Sequence, residues 1–461
     1  KSSPLLYSIE GFIGNDKTNP YVYEGTILSS EFGQETDINN NIRIGPTRIV
    51  LKFPQEGLYE IKWFSNIPIE KDNNIGEITQ IFAHKIIVDN EPNKMIFVSC
   101  DFLEADTSIQ NSMWTRMYSE LEPILSNKHI CLFHIGDQAY MDKVFKDSVR
   151  YAHENGYNDK TAQHIIQSFG QRYCDTWMPH NNVLSSVFNY NLWDDHELKN
   201  NMMLNDTTLS SDEQYVRDLA VHTYSLYQES QHLSHINPPI SRYCWDKRMG
   251  NNNEILVLAI ERTSRLVSVS EILASIDELT KNITTDRLIL CFASPPIPPP
   301  HGKYGSIYRK IVNDKGTSET SKFWPRDQLA DLYRGLFLWM DSNENREVLV
   351  VGGDLHFGTH GIAYRNGRNI PIVISSPITN QPTPERWLAS KGMKGLHYIT
   401  DGSHPNDNAI PITFTTISSK ARRCYVTVDL DTFPMKVTMN YSTHKLPEKS
   451  LKYLRTLFSF K

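Results

Sequence analysis

The feature that most constrains this chain is a recurrence. Four short apolar runs, each about the length of one buried strand, break off into residues that can bind metal. Met95-Ile96-Phe97-Val98 leads into Ser99-Cys100-Asp101, and Ile130-Cys131-Leu132-Phe133-His134-Ile135 into Gly136-Asp137-Gln138-Ala139-Tyr140. Val187-Phe188-Asn189-Tyr190-Asn191-Leu192-Trp193 leads into Asp194-Asp195-His196-Glu197. Val348-Leu349-Val350-Val351 leads into Gly352-Gly353-Asp354-Leu355-His356, with His360 shortly after. Continuous apolar runs of this length suit strands covered on both faces, as in a parallel sheet. Ligands of such sheets bind at the carboxyl ends of the strands, so these four tails are expected to meet at one rim.

Further runs of the same texture occur at Ile255-Leu256-Val257-Leu258-Ala259-Ile260, Leu288-Ile289-Leu290-Cys291-Phe292 and Ile370-Pro371-Ile372-Val373-Ile374. Between them, Met113, Met117, Leu121 and Leu125 fall on one face of a helix over 111–126. Leu329, Leu332, Leu336 and Met340 do the same over 326–342. Strands alternating with helices predict an α/β fold.

Residues 1–93 differ in texture. Alternating segments at 47–53, 58–64 and 78–84, separated by turn clusters such as Asp37-Ile38-Asn39-Asn40-Asn41, predict a small N-terminal β-rich domain. Trp63 is expected in its core. The α/β domain would span 94–445 and take in late strands at 423–429 and 436–441. A C-terminal helix is expected within 446–461. The proline-rich stretch from Ser294 to Pro300 reads as a stiff loop. A chain of 461 residues is long enough for this organisation.

Taken singly, each tail has a simpler reading. Gly136-Asp137 suits a turn, and Asp194 to Glu197 suits the acidic first turn of a helix. His356 and His360 suit loops, and Cys100 suits a buried structural thiol. Their recurrence after successive strands favours one metal site. Carboxylates and imidazoles suit Mg, Mn, Ca, Zn or Fe. Carboxylates gathered in a cleft need a compensating cation. Two cations roughly 4 Å apart can activate a water and clamp phosphate oxygens. The net charge of −6 and pI near 6.3 leave no overall basic footprint, so no stable nucleic-acid partner is expected. A phosphate ester, small-molecule or lipid, is the expected partner.

The series Ser99-Cys100, Gly136-Asp137-Gln138-Ala139-Tyr140, Trp193-Asp194-Asp195-His196-Glu197 and Gly353-Asp354-Leu355-His356 resembles the PhoD-like alkaline phosphatases. These are a branch of the calcineurin-like metallophosphoesterases. The resemblance covers about residues 94–445, and the tryptophan-led Asp-Asp-His-Glu is its most specific element. It implies a four-layer α/β-β/α metallophosphoesterase sandwich and hydrolysis of phosphate mono- or diesters by a metal-activated water. It implies a mixed Fe(III)/Ca(II) site, with Mn, Mg or Zn as alternatives. Cys100 and Tyr140 take the places of an iron-binding thiolate and phenolate, and Asp137 that of the bridging carboxylate. Asp195 takes the place of the superfamily's metal-binding asparagine. His196 takes that of the histidine that contacts phosphate or protonates the leaving group. Asp354 and His356 fall on the Gly-His-x-His motif, with aspartate in place of its first histidine. Arg262, with Arg265, is similar to a phosphate-binding Asp-x-Arg-x-x-Arg element in which Ile260 stands at the aspartate. A forked guanidinium suits phosphate oxygens, and surface ion pairing is the simpler alternative for this pair. His301 and His360 are not expected to ligate directly.

Two other classes of function compete. One is a catalytically inactive metal- or phosphate-binding protein on the same fold. The other is a cysteine hydrolase built on Cys100 and His196, disfavoured because the nearby carboxylates oppose a thiolate without a metal. The six cysteines contain no CxxC pair, and Cys131 and Cys291 sit in apolar runs as free buried thiols. That leans toward a reducing compartment. Asn205 and Asn282 begin glycosylation sequons of the kind common by chance. No apolar run is long enough to span a bilayer. The chain starts at Lys1 rather than methionine, so both export after removal of a leader and an intracellular location stay open.

Overall fold

The computed structural model describes residues 92–102, 107–125, 128–202, 208–228, 244–250, 254–261, 268–281, 285–314, 323–380, 383–400 and 411–443, and the backbone of six strands before residue 92. Those six are β1 (Leu5–Ile13), β2 (Pro20–Ile27), β3 (Gln34–Thr36), β4 (Ile42–Ile44), β5 (Gly57–Ser65) and β6 (Thr79–Val88). Four of them form an antiparallel sheet in the order β2-β1-β5-β6, and β3 pairs with β4. The segment expected at 58–64 falls within β5, and residues 79–84 of the one expected at 78–84 fall within β6, Ile78 lying outside the described residues. The one expected at 47–53 and the C-terminal helix lie outside the described residues.

The first half of the α/β region runs β7 (Lys94–Val98), α1 (Thr107–Leu121), β8 (Ile130–Ile135), α2 (Asp142–Asn155), α3 (Asp159–Trp177), α4 (Asn181–Leu184), β9 (Phe188–Leu192) and α5 (Ser211–Tyr227). Then follow β10 (Cys244–Met249), β11 (Ile255–Ile260), α6 (Val269–Thr280), β12 (Arg287–Phe292), α7 (Gly302–Asp314) and α8 (Arg326–Asp341). The rest is β13 (Glu347–Gly352), β14 (Gly358–Arg365), β15 (Arg368–Ile374), α9 (Pro384–Gly392), β16 (Leu396–Tyr398), β17 (Thr413–Lys420), β18 (Cys424–Asp429) and β19 (Lys436–Tyr441). The helix expected over 111–126 starts and ends about one turn earlier than its apolar spacing indicates.

These strands make two sheets. The first has the order β19-β18-β7-β8-β9, with β7, β8 and β9 parallel and β18 antiparallel to β7. The second has the order β10-β11-β12-β13-β15-β14-β17-β16, with β11, β12, β13 and β15 parallel. Strand alternation sorts the apolar residues onto two faces, because successive side chains point opposite ways. Met95, Phe97, Cys131, Phe133 and Ile135 of the first sheet pack against Val257, Ile289, Cys291, Leu349 and Val351 of the second. The intervening residues Ile96, Val98 and Leu132 face α1 through Met113, Trp114 and Met117. Leu258, Leu290 and Val350 face α6 and α8 through Ile272, Leu332 and Leu336. The result is helix, sheet, sheet, helix: the four-layer α/β-β/α sandwich expected above.

Both faces of each central strand are therefore dry, which explains the unbroken apolar runs. Each fully buried leucine-sized side chain contributes about 1.5–3 kcal/mol. Cys131 and Cys291 are free thiols in the seam between the sheets, as expected. A separate core of α2, α3 and α5, built on Phe145, Phe169, Tyr173, Val216 and Tyr224, lies beside the loops after β8 and β9. Among the described residues, no helix is long and apolar enough to cross a membrane.

Candidate metal centre

The loops after β7, β8, β9, β13 and β15 meet where the two sheets touch. Two glycines permit that approach. A Cβ on Gly353 would lie 2.2 Å from the carbonyl oxygen of Ile135 and 3.0 Å from Ser99 Cβ. A Cβ on Gly136 would lie 2.7 Å from Asp194 Cβ, and its φ of 86° is left-handed. Four non-glycine residues at this rim are also left-handed: Cys100, Asp137, Asp354 and His356, with φ of 59°, 57°, 58° and 53°. Each such backbone costs on the order of 1–3 kcal/mol and persists only where the surroundings fix it. Backbone bonds supply part of that fixing: Cys100 N–H donates to Gly136 O at 3.3 Å, and Asp101 N–H to Asp137 O at 2.9 Å.

Three sets of side chains here offer ligand atoms within 4.8 Å of one another: Cys100 with Asp137 and His356; Asp137 with Asp195 and His196; and Asp137 with Asp194, Asp195 and Asp354. Asp137 belongs to all three. Tyr140 Oη lies 3.2 Å from Asp137 Oδ2 and 2.8 Å from His356 Nε2. Cys100 Sγ lies 3.3 Å from the same Oδ2. The structure thus brings together Cys100, Asp137, Tyr140, Asp195, His196, Asp354 and His356. Arg262 and Arg265 lie outside the described residues. His301 and His360 join none of the three sets; His301 packs its ring against His397, and His360 lies in β14 rather than in a loop.

Residues 194–197 combine two readings that the sequence opposed. Asp195, His196 and Glu197 form one turn of 3-10 helix, and Asp194 accepts a hydrogen bond from Asp195 N–H at 2.8 Å. Glu197 turns back and accepts from the N–H groups of Asp194 (2.8 Å), Gln138 (2.8 Å) and Asp137 (3.3 Å). It pins the loop after β8 to the loop after β9. Trp193 anchors the turn by stacking edge-on against Tyr224 in the α2/α3/α5 core. The acidic helix turn and the metal-competent cluster are therefore the same structure.

The donor set fits a cation. Asp137, Asp194, Asp195 and Asp354 are all essentially buried, and buried like charges at this spacing need an opposite charge. The thiol of Cys100 is pushed well up by burial, then by the Asp137 and Asp354 carboxylates. The phenol of Tyr140 is pushed up by burial, then by Asp137 and Cys100. Both groups hold their protons against Asp137 Oδ2. A cation at that place would displace those protons, as metals do from thiol and phenol ligands. For His196, burial works against the charged ring, but the carboxylates of Asp137, Asp142 and Asp195 prevail and take it up to about 9. Its Nδ1 sits 2.7 Å from Asp142 Oδ2, which leaves Nε2 as the nitrogen that can face a ligand.

Several residues escaped sequence reasoning. Asp142 opens α2 and carries no motif of its own. Asp194, the first aspartate of the tryptophan-led motif, joins Asp137, Asp195 and Asp354 although the resemblance gives a metal-binding place only to Asp195. Ser376 and Asn380 follow β15, whose tail carries hydroxyl and amide groups rather than carboxylates. Ser376 Oγ lies 3.1 Å from Cys100 Sγ, and Asn380 Nδ2 lies 3.2 Å from Tyr140 Oη.

No family model matches the chain, and no curated protein matches it. Among solved structures, one titled "Structure of PhoD" is similar, with a TM-score of 0.51 and 11% sequence identity over 97% of this chain and 87% of that chain. At that identity the likeness is one of fold.

Proposed function

We propose that this chain is a metal-dependent phosphoric ester hydrolase of the PhoD-like alkaline phosphatase type. The observation that carries this reading is Asp137, a buried carboxylate shared by every metal-competent set at the rim. The similarity of fold to a PhoD structure supports it. Cys100, Asp137, Tyr140 and His356 would hold one cation, and Asp137, Asp194, Asp195 and Asp354 a second. Thiolate and phenolate suit Fe(III), and a carboxylate cage suits Ca(II), with Mn, Mg or Zn as alternatives. When bound, such a pair supplies positive charge to phosphate oxygens and makes a water nucleophilic.

The chain's own residues do the rest. Asp142 orients His196 through Nδ1, so Nε2 carries the proton passed to the leaving oxygen. Burial of the rim keeps bulk water away from that transfer, and the packed turn at Asp195 holds the histidine beside the carboxylates. Arg262, two residues past the end of β11 in sequence, is the candidate to grip phosphate oxygens. The catalytic unit would be residues 94–445, with 1–93 a separate β-rich unit.

Elemental analysis of the purified protein, paired with hydrolysis of p-nitrophenyl phosphate and bis-p-nitrophenyl phosphate with and without chelator, tests this. Two bound metal ions with chelator-sensitive cleavage are expected, and the preferred ester distinguishes monoesterase from diesterase. Protein that stays metal-free and inactive after reconstitution with iron and calcium overturns the proposal in favour of a non-catalytic binding protein.

A further inference from the structure

The loop after β15 belongs to the second sheet, yet it is laced to the Cys100 turn of the first. Ile378 N–H donates to Ser99 O at 2.9 Å, and Ser99 Oγ donates to Ser375 O at 2.8 Å. Ser375 Oγ donates in turn to Phe97 O. Counting protons along this seam decides what reaches the sulfur. Ser99 lies 3.4 Å from Cys100 Sγ, but its single hydroxyl proton is committed to Ser375 O. Ser376 Oγ accepts from His356 N–H at 2.9 Å, so its own proton remains, with Cys100 Sγ 3.1 Å away. The sulfur cannot be the donor in that pair. As a thiol it directs its proton to Asp137 Oδ2, and as a thiolate it has none. Asn380 repeats the arrangement at Tyr140: its amide Nδ2 lies 3.2 Å from Oη, with His356 Nε2 at 3.4 Å.

We propose that Ser376 and Asn380 are positioning residues that donate hydrogen bonds to the Cys100 sulfur and the Tyr140 oxygen, and so set how strongly those ligands donate to the cation between them. The inference rests on the reading that Cys100 and Tyr140 hold a cation. Outer hydrogen bonds to anionic ligands tune both the affinity and the reduction potential of a metal site. Both Cys100 and Ser376 are fully buried, where such a bond is at its strongest. A neutral donor suits this place because it withdraws electron density from the ligand without competing for the metal.

The test is optical. Full-length protein is loaded with Co(II) to read the thiolate-to-metal band, and with Fe(III) to read the phenolate-to-metal band. In Ser376→Ala the thiolate band should move to lower energy, because an unbonded sulfur gives up electrons more readily. Ser376→Thr keeps the hydroxyl and should restore the wild-type position. Asn380→Leu should move the phenolate band to lower energy, and it decides the matter if Ser376→Ala does not fold. Folded variants that lose metal while their bands stay at the wild-type energy would show a structural role only and overturn the inference. Wild-type protein that binds Co(II) without any thiolate band would instead overturn the metal-centre reading beneath it.

Discussion

Asp137 belongs to every metal-competent set at the rim, so its loss should be felt by all of them at once. Asp137→Asn is expected to lower turnover on the order of 10³-fold and to reduce bound metal, read by elemental analysis of the same sample. Turnover and metal content near wild type would remove Asp137 from the bridging position. His196 should behave differently. His196→Ala is expected to cost about 10²–10⁴-fold in kcat, the range for a positioned acid or base, while metal content stays unchanged. Its partner Asp142 gives a pH signature in protein stripped of metal. The charged ring of His196 is favoured up to about 9 in the fold, against about 6.5 in an unfolded chain. That stability is fully present below about 6.5 and is lost as pH rises through about 9. The thermal midpoint of stripped wild type should therefore fall across that window, and fall less in Asp142→Asn. Equal falls would mean that Asp142 does not support the charged histidine.

At the scale of elements, strands place the chemistry and glycines decide how close two strand ends can come. Gly353→Ala would drive a methyl into the Ile135 carbonyl, so the end of β13 must retreat from β8. The expected result is a larger loss of metal than of fold, seen as reduced metal content with little change in circular dichroism. Retained wild-type metal content would mean that the sheets approach by another route. The same geometry explains what the sequence could show. The strands after which Cys100, Asp137, Asp195 and Asp354 lie were legible because strands buried on both faces need unbroken apolar runs. The carboxylates were legible because aspartates seldom follow such runs four times by accident. Ser376 and Asn380 were not, because a serine or asparagine after a strand is ordinary turn chemistry. Only the partners they meet, in loops that follow strands of the other sheet, set them apart. The antiparallel additions β14, β16 and β17 were also hidden, since none carries the unbroken apolar run of a central strand and β16 has only three residues.

At the scale of the whole molecule, the rim is made jointly by distant parts of the chain. Cys100, Asp137 and Asp195 come from the first sheet, and Asp354, His356, Ser376 and Asn380 from the second. The first sheet is itself incomplete without a strand far along the chain: β18 pairs with β7 through Val426 and Phe97, and Cys424 N–H donates to Pro377 O at 2.8 Å, beside Ser376. A chain stopped at Lys420 should therefore bind no cation at the affinity of the full-length protein, which metal analysis of the truncated product would show. Undiminished binding would mean that β7 needs no such neighbour. A growing polypeptide can lay down β7 and β8 early, but β18, which pairs with β7, is made only after every strand of the second sheet. A nascent fragment that lacks β18 is therefore expected to hold an unfinished rim, with the Cys100 and Ser376 loops not yet fixed against each other.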